Sequence, residues 1–204
     1  MRSQFVFLAI PLMAGLLVCG SDAQAQTGSI IVGEQAPETV GVSLRNEMLD
    51  LEDYRGKVVV LYFWGSWCPP SRAMNPHIHA LAKHLPEDAF AVIGVNSDPF
   101  EKIGAINANE LYNWPNFQNE LPDDGAIADT WDVKGWPGLV VIDPAGKIYS
   151  VNPQRTRNGS EKLNEVLAEL LSESELVSEM QIEELFASVN DTADEVRQQF
   201  THDR

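Results

Sequence analysis

Val58-Val59-Val60-Leu61-Tyr62-Phe63-Trp64-Gly65-Ser66-Trp67-Cys68-Pro69-Pro70-Ser71 is the stretch that decides the fold. Its first half is β-branched and aromatic, lies between Gly56 and Gly65, and predicts a buried central strand. A helical pattern begins at Arg72-Ala73-Met74, so Cys68 falls on the turn from strand to helix. Proline is tolerated in a first helical turn because the amide it lacks would have no partner there, and Pro69 and Pro70 therefore start the helix. The first free backbone donors after the sulfur are then those of Ser71 and Arg72. Together with the positive end of the helix dipole and the charge of Arg72, they favour the anionic sulfur, and Cys68 is expected to react as a thiolate.

Working outward, residues 1–25 read as a secretory leader: Arg2 is a minimal positive segment, Phe5 to Val18 is apolar, and Ala23-Gln24-Ala25 is a small-x-small cleavage site. The expectation is export across the inner membrane to a periplasmic or other extracytoplasmic compartment. Acylation at Cys19 is the lesser alternative, since that processing wants a small residue where Val18 stands. Either route leaves Cys68 as the one thiol of the mature chain, in a compartment where paired cysteines are usual. Charge is strongly acidic, with 14 Lys and Arg against 30 Asp and Glu for a net −16, which argues against nucleic acid as a partner.

Downstream, Val40 to Leu44 and Met48 to Leu51 read as a short hairpin covering one edge of the sheet. The helix after Cys68 runs to about His84 across Pro76, with Ile78, Leu81, Ala82 and Leu85 on its core face. His77, His79 and His84 are taken as solvated, because i, i+2 spacing splits the first two between faces and no second cysteine completes a metal site. Ala91 to Asn96 is a second buried strand that Asn96-Ser97-Asp98-Pro99 closes as a turn, and Glu101 to Leu111 has helical spacing. Trp114 to Phe117 leads to a polar loop, Asn119 to Gly125, and a short helix, Ala126 to Trp131. Leu139 to Ile142 is a further strand, and Asp143-Pro144-Ala145-Gly146-Lys147 turns it into Ile148 to Val151. Leu163, Val166, Leu167, Leu170 and Leu171 form the stripe of a packed helix. Residues 173–204 are an acidic amphipathic extension of one or two helices, with Asn190-Asp191-Thr192 as a cap between them, packing on the same core or serving as a partner-binding or dimerising arm.

Phe63-Trp64-Gly65-Ser66-Trp67-Cys68-Pro69-Pro70 resembles the active-site segment of the TlpA/ResA branch of the thioredoxin-like superfamily, extracytoplasmic thiol-disulfide oxidoreductases that usually read FWA-x-WCPPC. Gly33-Glu34-Gln35-Ala36-Pro37 and Val133-Lys134-Gly135-Trp136-Pro137-Gly138 resemble the branch's entry segment and its second signature, and the likeness runs from about Gly33 to Ser172. The resemblance implies a thioredoxin-like α/β fold over residues 26–172, with a central mixed sheet flanked by helices and a cis Pro137 facing Cys68. No cofactor and no metal are expected. Two positions depart from the pattern: Ser71 stands where the second, resolving cysteine belongs, and Gly138 replaces the usual Thr. Tyr62 sits where thioredoxins carry a buried proton-accepting Asp.

The implied chemistry is attack by Cys68 on a disulfide or oxidised thiol of a protein client, with Ser71 beside it and Trp67, Pro69, Pro70, Arg72, Trp136 and Pro137 forming the client groove. With Ser71 in place of a thiol, release must come from a client thiol, an external thiol or a membrane redox partner. Two alternatives remain: a redox-inactive binding module, and a one-cysteine peroxidase, against which stands Gly65 where peroxiredoxins carry Thr.

Overall fold

The structure is a computed structural model that describes residues 30–109, 111–121, 125–155, 159–173 and 177–202, so the expected leader lies outside the described residues. The chain runs through a hairpin, β1 (Val40–Val42) and β2 (Met48–Asp50), to the central strand β3 (Val58–Trp64) and helix α1 (Pro69–His84). There follow β4 (Phe90–Asn96), α2 (Phe100–Asn107), β5 (Asn116–Gln118), the short strands β6 (Glu120–Leu121) and β7 (Gly125–Ala126), and α3 (Ile127–Thr130). A second hairpin, β8 (Gly138–Ile142) and β9 (Ile148–Val151), leads to α4 (Gly159–Glu173) and α5 (Glu179–His202).

Five strands form one mixed sheet in the order β5-β4-β3-β8-β9. Strands β3, β4 and β5 are mutually parallel, while β8 is antiparallel to both β3 and β9. This is the mixed central sheet flanked by helices expected of a thioredoxin-like domain. The β1–β2 hairpin bridges to the β5 edge through Ser43 and Phe117, covering an edge as its sequence suggested.

Strand β3 is buried along its whole length because it divides two cores with the two-residue alternation of a pleated strand. Val58, Val60, Tyr62 and Trp64 face α1, α4 and α5, whereas Val59, Leu61 and Phe63 pack with Phe117, Ile127 and Trp131 on the other side. Pairing of Phe63 with Gly138 then sets the start of β8 beside the end of β3, which delivers residues 136 and 137 to Cys68.

Four local expectations change. Helix α2 stops at Asn107, short of Leu111, because Asn107 Nδ2 donates to the Leu44 carbonyl at 2.7 Å and Asn109 Oδ1 takes the Leu111 amide at 3.0 Å, replacing helical bonds with side-chain ones. Asn116–Gln118 is an edge strand and not an approach to a loop. It is locked by buried Asn116, whose Oδ1 accepts from the indoles of Trp64 and Trp114 at 2.8 and 3.1 Å. Between Asn119 and Gly125 the described residues include β6, which pairs with β7, where the sequence suggested only a loop. Finally, α5 runs unbroken through Asn190-Asp191-Thr192, since Asn190 and Thr192 bond to Asn164 and His84 on neighbouring helices and neither caps a new one.

Of the α1 histidines, expected to be solvated, His77 is buried and His79 and His84 are partly buried. Val177, Ile182, Phe186, Val189 and Ala193 join the core shared by α1 and α4, and this covers the face that carries His77. His77 is 1% exposed and donates from Nε2 to Asn164 Oδ1 at 2.9 Å. His79 bonds the Leu111 carbonyl at 3.1 Å, and His84 pairs with Thr192 Oγ1 at 2.7 Å.

Candidate functional site

Cys68 occupies the N-cap position of α1, with Pro69 and Pro70 as the first helical residues. It is buried, and its Sγ donates to the Trp136 carbonyl at 3.6 Å, across the cis Trp136–Pro137 bond from Pro137. The expected cis proline thus faces the cysteine.

The amide of Arg72 closes the first helical turn onto the Cys68 carbonyl at 3.0 Å, and its guanidinium donates to the Ser66 carbonyl at 2.8 Å. The guanidinium thereby braces the loop before the sulfur. Pro69, Pro70 and Arg72 are all exposed on the first turn, and Pro137 is partly buried.

Ser71 is completely buried, and its Oγ has no hydrogen-bond partner among the described residues. Behind it, the Tyr62 hydroxyl is placed to donate to Asn75 Oδ1 at 2.8 Å and to the Ser71 carbonyl at 3.1 Å. Burial raises the Tyr62 pKa far above the ordinary phenol range, the bond to Ser71 opposing it only in part. Tyr62 is therefore a fixed hydrogen-bond donor and not a proton acceptor.

Trp67 and Trp136, expected to line a client groove, come together, ring centroids 5.7 Å apart and planes tilted by 55°. The cis-proline loop is held from behind by residues that no local pattern marks. Arg155 donates to the carbonyls of Gly135 and Pro137 at 3.0 and 3.3 Å, and Gln154 Nε2 donates to that of Pro137 at 3.3 Å. The turn after β4 enters the site as well: Asp98 accepts from the amide and hydroxyl of Ser66, and Ser97 meets both indoles. The signal for these residues was a turn motif in the sequence, which says nothing about what the turn touches.

Among the described residues no three His, Cys, Asp or Glu side chains converge as metal ligands, and no helix is long and apolar enough to cross a membrane.

Residues 32–151 match the AhpC/TSA family. The chain is 32% identical over 123 residues to the thiol-disulfide oxidoreductase ResA of Bacillus subtilis (strain 168), covering 60% of this chain and 68% of that one. It is 26% identical over 170 residues to the thiol:disulfide interchange protein HelX of Rhodobacter capsulatus, covering 74% and 86%. Among solved structures it resembles the thioredoxin domain of a thiol-disulfide oxidoreductase from Bacteroides vulgatus, with TM-score 0.58 and 25% identity over 70% of this chain and 99% of that one.

Proposed function

Because the chain belongs to the AhpC/TSA family and to its ResA-like, thioredoxin-fold branch, we propose that it is an extracytoplasmic thiol-disulfide oxidoreductase that works through a single cysteine on protein clients. The sulfur of Cys68 attacks one sulfur of a client disulfide. A bond forms between Cys68 and the client, the client's own S–S bond breaks, and the departing sulfur leaves as a thiolate that takes a proton from solvent. The mixed disulfide is released when a thiol attacks it: the client's own thiol completes an isomerisation, and an external thiol completes a reduction.

The observation that carries the single-cysteine reading is Ser71. It fills the resolving position and is buried with its hydroxyl free of partners among the described residues, and a hydroxyl, unlike a thiol, cannot displace the client. Tyr62, held protonated, leaves the site without the proton acceptor of a dithiol cycle. The leader over residues 1–25 supports the extracytoplasmic part of the reading.

Ser71→Cys tests the proposal. A sulfur at this position attacks from within the same helical turn at a very high effective concentration. The variant should gain disulfide-reductase turnover with a dithiol donor, while the parent accumulates Cys68 adducts or turns over only as free thiol is added. Equal turnover by both refutes a limiting role for Ser71. Burial of Cys68, only 6% exposed, favours a second reading as a binding module without redox turnover, and absence of both turnover and adducts would select it.

A further inference from the structure

In sequence, Asn96-Ser97-Asp98-Pro99 only ends a strand. In the structure, both tryptophans beside Cys68 are fastened to it. The Ser97 carbonyl accepts from Trp67 Nε1 at 3.2 Å, and the Ser97 hydroxyl accepts from Trp136 Nε1 at 3.1 Å. One residue therefore fixes two indoles that belong to different loops, one before Cys68 and one before Pro137.

Gly65 makes the first of these bonds possible. A Cβ there would collide with Trp67 Nε1 and stand 2.8 Å from Cε2, so only glycine lets the indole fold back across residue 65 to reach Ser97. Trp67 is nevertheless 48% exposed, and an exposed indole held by its N–H is a preorganised apolar surface whose ordering is complete before a client arrives.

The charged groups at the base of the cleft bond within it. Asp98 is occupied by the amide and hydroxyl of Ser66 and by Asn96 Nδ2 at 2.8 Å, and the Arg72 guanidinium by the Ser66 carbonyl. Beside the sulfur a client meets the two indoles and the exposed Pro69 and Pro70, with the exposed Arg72 already bonded to Ser66, and this surface favours an apolar or aromatic side chain.

We infer that Ser97 and Gly65 are positioning residues that set client specificity: they hold Trp67 and Trp136 as a cleft selecting polypeptides with an aromatic or bulky apolar residue next to the cysteine under attack. This rests on the thiol-disulfide reading above. The substitutions that probe it are Ser97→Ala, which removes the acceptor for Trp136, Gly65→Ala, which expels Trp67, and Ser97→Thr, which keeps the hydroxyl.

Two measurements test it on the full chain. Near-ultraviolet circular dichroism reads the coupled indoles: the parent signal should fall in Ser97→Ala and Gly65→Ala and persist in Ser97→Thr. Mass spectrometry then follows formation of the Cys68 adduct from symmetrical disulfides of two short cysteine peptides, one with Phe beside the cysteine and one with Gly there. Each event joins Cys68 to one peptide and frees the other as a thiol. The parent should prefer the Phe peptide about tenfold, mainly through half-saturation and not limiting rate. Ser97→Ala and Gly65→Ala should each reduce that preference at least threefold, and Ser97→Thr should restore it. Equal rates for both peptides in the parent, or a preference that survives loss of the indole signal, overturns the inference while leaving the thiol chemistry standing. No adduct from either peptide overturns the thiol-disulfide reading and the inference with it.

Discussion

Replacing His77 with glutamine should flatten the acid limb of the protein's stability curve. His77 lies on α1 beneath α5, its Nε2 bonded to Asn164 of α4, and Asn164 Nδ2 in turn donates to Asn190 of α5 at 3.3 Å. Burial drives its pKa down from 6.5 to about 4; the bond to Asn164 opposes the shift, Arg197 adds to it, and Asp194 opposes it. An unfolded histidine titrates near ~6.5, so as the pH falls the unfolded chain takes up the proton first. The folded-state value being depressed, the neutral imidazole leaves stability intact above about pH 6.5, and stability is lost as the pH falls toward about 4. Proton linkage with these two values gives a loss of about 2 kcal/mol between about pH 7 and about pH 5, approaching about 3 kcal/mol once both states are protonated. Urea unfolding at the two pH values, for parent and His77→Gln, measures it. The remaining titratable groups are common to both proteins, so the difference between their two pH effects reports His77. The parent should lose about 2 kcal/mol more than the variant. Parallel losses would refute the view that the docked C-terminal helix keeps this imidazole neutral.

The other expectations follow from packing and from the leader. Phe186 of α5 is buried against the α1–α4 core, so Phe186→Ala should lower the unfolding free energy by about 3 kcal/mol in urea titration, and a loss under about 1 kcal/mol would mean the helix is not part of that core. A Cβ on Gly94 would collide with Asn116 Oδ1 and stand 2.8 Å from Trp114 Nε1, so Gly94→Ala should cost about 1–3 kcal/mol and change tryptophan fluorescence by disturbing Trp64 and Trp114. An unchanged spectrum and melting curve would contradict that packing. Mass spectrometry of the exported protein should find Gln26 at its N-terminus, and a lipid on Cys19 would overturn the cleavage site.

The parts of the site legible in the sequence are those whose information is local. The β-branched and aromatic run from Val58 to Phe63 between Gly56 and Gly65 points to a buried strand, two prolines before a helical pattern suit a first turn, and Ser71 in place of a thiol limits the chemistry whatever surrounds it. Pro137 was recognisable because its signature precedes a strand, and the pairing of Phe63 with Gly138 carries it to the cysteine.

What only the tertiary structure decided depends on partners far apart in the chain. Ser97 meets Trp67 and Trp136 across 30 and 39 positions, and Thr192 meets His84 across 108. Composition and spacing report which face of an element is apolar, but not which neighbour covers it. That is why His77 looked solvated until α5 covered it, why Asn190-Asp191-Thr192 looked like a cap until its side chains found other helices, and why Trp114 to Phe117 looked like an approach to a loop until Asn116 bound two indoles. A polar side chain takes its meaning from the donor or acceptor it meets, and only the assembled fold supplies that partner.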